Sequence, residues 1–243
     1  MQIFIKIKDC IRRIRLKYIH SRLRNTSVLY IQGRTLIVAP HPDDEVLGCG
    51  GLITRLAMKG QPPYVIVMTG GGASHMGCCE LPDDVVVENR RRLTLRALTI
   101  LGVPEKNIFF LDFQDGRIDD KDSEMVTLQS LLSNLNPEQV FVPHRSEGWS
   151  DHVWTARIIK SLIPAAVKVW EYCVWFWYYN TWNMDWKQAR ILKLDARIHA
   201  LKLKAIDAYI TPLAPCGNPW SGVLPKVFID ANSWNKELFF KVK

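Results

Sequence analysis

The chain has 243 residues, of which 48% are hydrophobic and 23% are charged, and this composition and length are typical of one globular α/β domain. It contains no apolar stretch of the roughly 18 residues that a membrane-spanning helix requires, and neither a secretory signal sequence nor an internal repeat is apparent. The net charge of +8 is concentrated in residues 1–34, which hold nine Lys or Arg and one acid. Because the rest of the chain is balanced, it lacks the basic surface of a nucleic-acid-binding domain, and no nucleic-acid partner is expected.

The six cysteines are scattered along the chain and form no Cys-x-x-Cys pair. This pattern, without a secretory signal, predicts a reducing compartment and therefore a cytoplasmic protein. Cys78 and Cys79 are adjacent, and two interpretations of them stay open. They form an unusual metal or redox site, or they are inert thiols.

Residues 1–26 are predicted to form a basic amphipathic helix ahead of a single domain over residues 27–243. Its apolar residues recur at spacings of three or four and are Ile3, Ile7, Ile11, Ile14, Tyr18 and either Ile19 or Leu23. Basic residues fill the remaining positions. Two interpretations are open. Residues 1–24 make peripheral contact with an anionic membrane, or the helix packs on its own domain with its basic face in solvent.

After this helix, short apolar runs alternate with longer segments of helical periodicity. The runs predicted as buried strands are 36–39, 64–68, 107–111 and 139–142, and the predicted helices are 46–59, 83–101 and 123–135. Strands that alternate with helices through short connections are typical of a mainly parallel sheet. The predicted fold class is therefore α/β, a Rossmann-like sheet with helices on both faces.

The C-terminal part of the chain is less regular. Residues 167–186 are dense in aromatic residues, and alternation through part of this segment predicts a strand. The aromatic side chains suit a glycan, a membrane interface or the core. Residues 211–225 are rich in Pro and are predicted as a loop, and 227–229 as a final strand.

One His and three carboxylates lie between the first predicted strand and the helix that follows it: His41, Asp43, Asp44 and Glu45. Ligands bind at this edge of open α/β sheets, and His152 follows the fourth predicted strand at the same edge. Imidazole and carboxylate together are typical zinc ligands, so His41, Asp44 and His152 are predicted to bind one zinc ion. The alternative is a polar turn in which Asp43 or Asp44 caps the helix.

Four motifs carry a resemblance to a known family. Residues 40–51, Pro-His-Pro-Asp-Asp-Glu-Val-Leu-Gly-Cys-Gly-Gly, resemble the signature of the PIG-L/LmbE family of zinc-dependent N-acetylglucosaminyl deacetylases, and 150–152, Ser-Asp-His, resemble its second motif. Residues 89–103 resemble the family's helix before a Leu-Gly turn, and 111–116, Leu-Asp-Phe-Gln-Asp-Gly, resemble its Leu-x-x-x-Asp-Gly loop. The motifs occur in the family's order, across most of the chain.

The resemblance implies an enzyme that removes the N-acetyl group from an N-acetylglucosamine-type sugar or glycoconjugate and releases acetate and a free amine. Asp43 lies one residue from a predicted ligand and is assigned as the general base. By the resemblance, Asp115 hydrogen-bonds sugar hydroxyls, and the alternative for it is an ordinary Asp-Gly turn. Arg90 stands where the family has an Arg and is predicted to contact a sugar or phosphate group. Glu45 and Asp151 are assigned supporting roles around the metal.

Trp149 stands where the family's second motif usually has a His that helps to stabilise the oxyanion, and Leu93 stands where its helix usually has a Glu. An indole N–H donates a hydrogen bond but carries no transferable proton. Either His144 substitutes because its loop folds inward, or the mechanism relies more on the metal, or activity is reduced. Both Trp149 and His144 are therefore expected to contact substrate. Three alternatives stay open: a catalytically weak or silent sugar-binding protein, a hydrolase of another small amide, and a glycosidase that uses Asp43 and Glu45 as paired carboxylates.

Overall fold

The structure is a computed structural model that describes residues 2–76, 80–178, 182 and 184–242, with the backbone alone at 2–6 and 25. The adjacent Cys78 and Cys79 and the side chain of Ile3 lie outside the described residues. Within the described ranges, no helix combines the length and the apolar character needed to cross a bilayer.

The described cysteines are not all reduced. Cys10, Cys49 and Cys173 are free thiols, whereas Cys216 is disulfide-bonded. This disulfide does not fit the predicted reducing compartment, so the cytoplasmic location stays a prediction.

The described strands form one mixed sheet. They are β1 (Thr35–Ala39), β2 (Tyr64–Val67), β3 (Ile108–Phe110), β4 (Gln139–Pro143), β5 (Lys168–Tyr172), β6 (Ala189–Lys193) and β7 (Lys236–Lys241). Their order in the sheet is β3-β2-β1-β4-β5-β7-β6. β1 to β5 pair in parallel, and β7 runs antiparallel to both β5 and β6. The strand order reverses between β1 and β4, and such a switch point is where ligands bind in open α/β sheets.

Helices cover both faces of this sheet, as predicted. They are α1 (Gln2–Arg22), α2 (Asp44–Met58), α3 (Asp83–Ile100), α4 (Glu124–Leu135), α5 (Ser150–Leu162), α6 (Ala196–Ile210) and α7 (Lys226–Asn232). On β1, Ile37 packs into one core with α2, α3 and α6, while Leu36 and Val38 pack into the opposite core with α4 and α5. This alternation follows from the two-residue period of a strand, and it confirms the predicted α/β fold class.

The predicted final strand was wrong. Residues 227–229 lie in α7, and the last strand is β7. Pro225 precedes α7 in an extended conformation, and Phe228 and Ala231 are buried at helical spacing. A three-residue apolar run does not distinguish a strand from a buried helical turn.

Within the described residues of the aromatic segment 167–186, the strand is confined to β5. The chain then forms a short 3-10 helix, Trp175–Trp177. The sequence analysis also missed β6 and α5. The departure from a continuous strand matters because Trp175 is thereby turned toward the carboxyl edge of the sheet, where it lines a cavity.

Helix α1 packs on the domain with a different face from the one its apolar spacing indicated. Arg15 is buried and donates to the backbone carbonyls of Phe176 (2.7 Å) and Trp177 (3.0 Å). Ile19 and Leu23 are buried in a third apolar cluster. The predicted apolar stripe is therefore split, because Ile7, Ile11, Ile14 and Tyr18 are exposed whereas its alternative last members, Ile19 and Leu23, are buried.

A buried ion pair connects α6 and β7 to the middle of α2. Lys202 Nζ lies 2.7 Å from Glu237 Oε1, and both side chains are 1% exposed. Lys202 also donates to the Leu47 carbonyl, and Glu237 accepts from the Gly51 and Leu52 N–H groups. In an α-helix the N–H of each residue faces the carbonyl four residues earlier, so the Gly51 N–H and the Leu47 carbonyl belong to the same turn of α2. The pair therefore holds α2, and with it the loop at its N-terminus, against the sheet.

Lys202→Met is expected to lower the free energy of unfolding by about 3–5 kcal/mol, because the variant leaves the Glu237 carboxylate buried without its cation. Urea unfolding followed by circular dichroism measures this change. Lys204→Met alters an exposed side chain on the same helix and is expected to change stability by less than about 0.5 kcal/mol. Equal losses in the two variants would contradict the role given to the ion pair.

Candidate metal centre and active site

The loop between β1 and α2 holds Asp43 in a strained backbone conformation. Its φ is 113°, in a region that residues other than glycine rarely adopt and that is typically retained at functional sites. Asp43 occupies the N-cap position of α2, but its side chain makes no capping hydrogen bond. Asp44 directs its carboxylate back to the N–H of His41 (3.1 Å). Neither the Asp43 nor the Asp44 side chain therefore caps α2 in the way that the alternative interpretation required.

The structure brings together the three residues predicted as metal ligands. His41 Nδ1 lies 3.2 Å from Asp44 Oδ2, and His152 Nε2 lies 3.3 Å from the same oxygen. Tetrahedral zinc with bonds of about 2.0–2.1 Å spaces its ligand atoms by about 3.3 Å, so these separations suit one shared ion. The three side chains also lie close enough together as a group to hold a metal.

The environment of His152 supports this assignment. Its side chain is 1% exposed, and neither ring nitrogen has a hydrogen-bond partner among the residues that the structure describes. Buried polar atoms without partners are uncommon and destabilising. A metal on Nε2 would satisfy that nitrogen, so the residues present fit the predicted ion.

The other side of the His41 ring faces two carboxylates. His41 Nε2 lies 3.2 Å from both Asp115 Oδ1 and Asp151 Oδ2. Burial lowers the pKa of His41, but the contacts with Asp115, Asp151 and Asp44 outweigh burial and raise that pKa well above its ordinary value. Such carboxylates fix the ring orientation of a metal-binding imidazole, and here they point Nδ1 toward Asp44.

His41, Asp115 and Asp151 are themselves close enough to hold a cation. However, Asp151 already accepts from the N–H groups of Gly116 (2.7 Å) and Ile118 (3.3 Å), and Asp115 accepts from that of Ala73 (2.9 Å). Because Asp151 and Asp115 are already engaged by these bonds, the group of His41, Asp44 and His152 is the better metal site. Asp151 thus contacts both the His41 ring and the backbone of the loop after Asp115.

Asp43 lies beside Arg90 at the cavity. Burial raises the pKa of Asp43 well above its ordinary value, and Arg90 opposes this shift. The guanidinium donates to the carbonyls of Gly71 (2.9 Å) and Pro42 (2.6 Å) and lies 3.4 Å from Asp43 Oδ2. Arg90 therefore anchors the loop that carries Asp43, besides lining the cavity where substrate contact was predicted.

Glu45 supports the same loop from beneath. It is fully buried, accepts from the Asp43 N–H (3.1 Å) and receives a hydrogen bond from the Tyr209 hydroxyl. Burial raises the pKa of Glu45 to about 7. Glu45 does not line the cavity, so the structure gives no support to a glycosidase that pairs it with Asp43.

A cavity of about 350 Å³ opens above these groups. Its lining includes every predicted ligand together with Asp43, Arg90, Asp115 and Asp151. Trp149 forms part of an aromatic and aliphatic wall that the sequence analysis did not foresee, with Trp175, Leu224 and Phe228. The Trp149 and Trp175 rings meet edge to face at 5.7 Å. The cavity thus has a charged floor and one apolar wall.

His144 is not part of the cavity lining, contrary to the prediction that it substitutes at Trp149. Its ring packs against Phe176 (4.8 Å) and Phe240 (4.7 Å), and its Nδ1 accepts from the N–H of Ser146 (3.0 Å). The loop folds His144 into the core instead of into the cleft.

Glu147, three residues further on, is the residue that the sequence analysis missed. It is fully buried, its carboxylate accepts from the N–H groups of Val174 and Trp175, and Oε2 lies 3.5 Å from His152 Nδ1. A carboxylate behind a metal-binding His orients the ring. The position of Glu147 in sequence, between the end of β4 and His152, is the feature from which its role could have been predicted.

Glu147→Gln is expected to weaken zinc binding about 10- to 100-fold, because a neutral amide replaces the carboxylate behind His152. Competition with a chromophoric chelator measures the affinity. Glu105→Gln, an exposed glutamate remote from the site, is the matched control and should bind zinc like the unmodified protein. Unchanged affinity in Glu147→Gln, with the fold intact by circular dichroism, would remove Glu147 from the metal site.

Burial lowers the pKa of His144 to about 4, although Glu171 opposes the shift. The pKa of His144 is lower in the folded state than in the unfolded state. The stability that neutral, buried His144 contributes is therefore present above pH 6.5 and is lost as the pH falls toward 4. Between pH 7 and pH 5 the unmodified protein is expected to lose about 2 kcal/mol more stability than His144→Asn, which keeps an acceptor for Ser146. Urea unfolding at the two pH values tests this, and equal losses would contradict it.

Comparison with known proteins agrees with this geometry. The family model described as PIG-L: GlcNAc-PI de-N-acetylase matches residues 36–163, more than half of the chain. The uncharacterized deacetylase YaiS of Escherichia coli (strain K12) is 30% identical over 124 residues, which cover 49% of this chain and 61% of YaiS. The chain thus matches less than two thirds of that relative's length.

Two solved structures share the fold. N,N'-diacetylchitobiose deacetylase from Pyrococcus horikoshii aligns with a TM-score of 0.59 and 21% identity over 85% of this chain and 77% of its own. GalB, the 4-carboxy-2-hydroxymuconate hydratase from Pseudomonas putida KT2440, aligns with a TM-score of 0.63 and 18% identity over 87% and 97%. These likenesses establish the fold and not the activity. The family model runs from β1 through the end of α5 and so includes the site residues from His41 to His152. The chain therefore belongs to the PIG-L family.

Proposed function

We propose that the protein is a zinc-dependent N-deacetylase that acts on an N-acetylglucosamine-type sugar or glycoconjugate. The observation that carries this proposal is the meeting of His41, Asp44 and His152 beside Asp43 on the floor of one cavity. Family membership and the deacetylase name of the Escherichia coli relative YaiS support the same reaction class.

The proposed zinc ligands are His41, Asp44 and His152, one ion per chain. Zinc in such a site supplies positive charge that lowers the pKa of water and stabilises an oxyanion. The remaining chemistry belongs to Asp43. Its carboxylate takes a proton from the attacking water as the C–O bond forms, and it returns that proton to the nitrogen as the amide C–N bond breaks. The products are acetate and a free amine.

The surroundings of Asp43 suit a general base. Burial raises the pKa of Asp43 above its ordinary value, which makes its carboxylate a stronger base. The strained backbone and the Arg90 contacts hold the carboxylate beside the metal ligands without placing it among them. Since Trp149 carries no transferable proton and His144 lies outside the cavity, Asp43 would serve as both base and acid.

The apolar wall offers a surface for the sugar ring. Trp149 and Trp175 stand at one side of the cavity, and aromatic faces bind the C–H faces of sugars. Arg90 and Asp115 also line the cavity and would present polar groups to hydroxyls or to an anionic substituent. This arrangement supports a sugar-sized substrate but does not distinguish a free sugar from a conjugate.

A sugar-binding protein with weak or no turnover is the second candidate. It is favoured by one observation, the presence of Trp149 in place of the family's His. Its cavity would bind the same N-acetylated sugars and leave the amide intact.

Asp43→Asn is expected to lower the rate of acetate release from N-acetylglucosamine conjugates by about 10²- to 10⁴-fold, because the amide cannot accept the proton from water. Released acetate is measured enzymatically, with and without a chelator. Bound zinc should be unchanged, since Asp43 is not a proposed ligand. Asp120→Asn, an exposed aspartate, is the control and should keep full activity.

The outcomes separate the candidates. Chelator-sensitive acetate release that Asp43→Asn abolishes supports the deacetylase. Sugar binding by the zinc-loaded protein without acetate release supports the binding protein. Turnover that survives either the chelator or Asp43→Asn would refute the proposed mechanism.

A further inference from the structure

Helix α1 leaves an apolar face in solvent. Ile7, Ile11, Ile14 and Tyr18, which we term the Ile stripe, are exposed by 52%, 47%, 57% and 37%. Their spacings of four, three and four place them along one side of the helix. Exposed apolar residues are normal when scattered, but a continuous row indicates an interaction surface.

Aromatic residues extend the Ile stripe beyond the helix. The Trp182 ring lies 5.7 Å from the Tyr18 ring and is itself 49% exposed, and Trp186 meets Tyr18 edge to face at 6.3 Å. Trp and Tyr are the residues enriched at the boundary between lipid and water. The surface therefore combines aliphatic side chains with an aromatic end.

Positive charge flanks the Ile stripe on both sides. At about 100° per residue, Arg13 and Lys17 lie on one side and Lys8 and Arg22 on the other, and all four residues are exposed. The helix carries one acid, Asp9, which lies on the opposite side and pairs with Arg12 (2.8 Å). The exposed face is thus apolar at its centre and cationic at its edges.

The adjacent face of α1 is fixed to the domain. Arg15 is bound to two backbone carbonyls, and Ile19 and Leu23 are buried. The Ile stripe is therefore presented by a docked helix and does not have to fold on contact. This preformed arrangement lowers the entropic cost of binding to a surface.

We propose that the Ile stripe docks on the surface of an anionic lipid bilayer, with α1 lying parallel to it. Apolar side chains would enter the acyl boundary while the flanking cations contact lipid phosphates. Nucleic acid is a poorer partner because an apolar centre does not fit a phosphate backbone. A second copy is also poorer, since twofold pairing would bring the like-charged edges together.

Ring contacts connect the domain side of α1 to the cavity wall. Arg12 lies over the Tyr178 ring (3.5 Å), and that ring meets Trp175 at 5.6 Å. Trp175 lines the cavity. The Tyr178 and Trp175 rings therefore lie between α1 and the cavity, and docking of α1 would hold the cavity close to the lipid surface. The inference itself does not depend on the proposed reaction.

Co-sedimentation of the full chain with lipid vesicles tests the proposal. The protein is expected to bind phosphatidylcholine vesicles that contain phosphatidylserine, to bind pure phosphatidylcholine vesicles much less, and to dissociate as salt rises. Ile11→Glu with Ile14→Glu should lower the partition coefficient at least about tenfold. Lys8→Gln with Lys17→Gln should lower it by about fivefold for each charge removed.

Val126→Glu is the matched control, because it adds a carboxylate at an exposed apolar position (74%) on another helix. It should bind vesicles like the unmodified protein, and all variants should keep the unmodified melting temperature, since every changed side chain is exposed. Failure of the unmodified protein to bind anionic vesicles would overturn the proposal. So would vesicle binding that survives the Ile11 and Ile14 changes, salt-sensitive binding to duplex DNA in place of vesicles, or a dimer that those two changes dissociate. None of these readouts depends on acetate release.

Discussion

The arrangement of the site depends on one carboxylate that lies between two imidazoles. Asp44 Oδ2 is within 3.3 Å of both His41 and His152. Those residues follow β1 and β4, which are parallel neighbours, so the sheet brings their carboxyl ends to the same place although they are far apart in sequence. Burial tends to raise the pKa of Asp44, but His152 and His41 hold it below its ordinary value. The carboxylate therefore remains available as an anionic ligand.

Around that centre, each buried charge has a partner that fixes its position. Arg90 holds the Asp43 loop, Glu147 stands behind His152, and Asp115 and Asp151 orient His41. Removing one partner from such a group leaves an uncompensated charge in a poorly hydrated place, so the polar floor behaves as one unit. The apolar wall differs in kind, because shape and aromatic faces rather than charge determine what fits there.

Much of this could be predicted from the sequence, and the failures have specific causes. The strands and helices from β1 to β4 were predicted correctly, because amphipathic helices and buried strands differ in the spacing of their apolar residues. His144 and Glu147 lie in one loop, and only packing against Phe176 and Phe240 turns the former away from the cavity. For α1, the apolar spacing indicated the wrong packing face, since the buried side includes Arg15. Hydrogen bonds to two backbone carbonyls make that burial acceptable, and no periodicity reports them.

The sequence by itself determined the α/β class, the family and the residues at the strand ends, because each of these is encoded in local order and spacing. The tertiary structure alone decided which neighbours of those residues face the cavity, that an aromatic wall closes one side, and that α1 turns its Ile stripe to solvent. The physical reason is that side-chain direction in loops and docked helices is set by contacts between residues distant in sequence. Those contacts exist only once the sheet has brought its strands together.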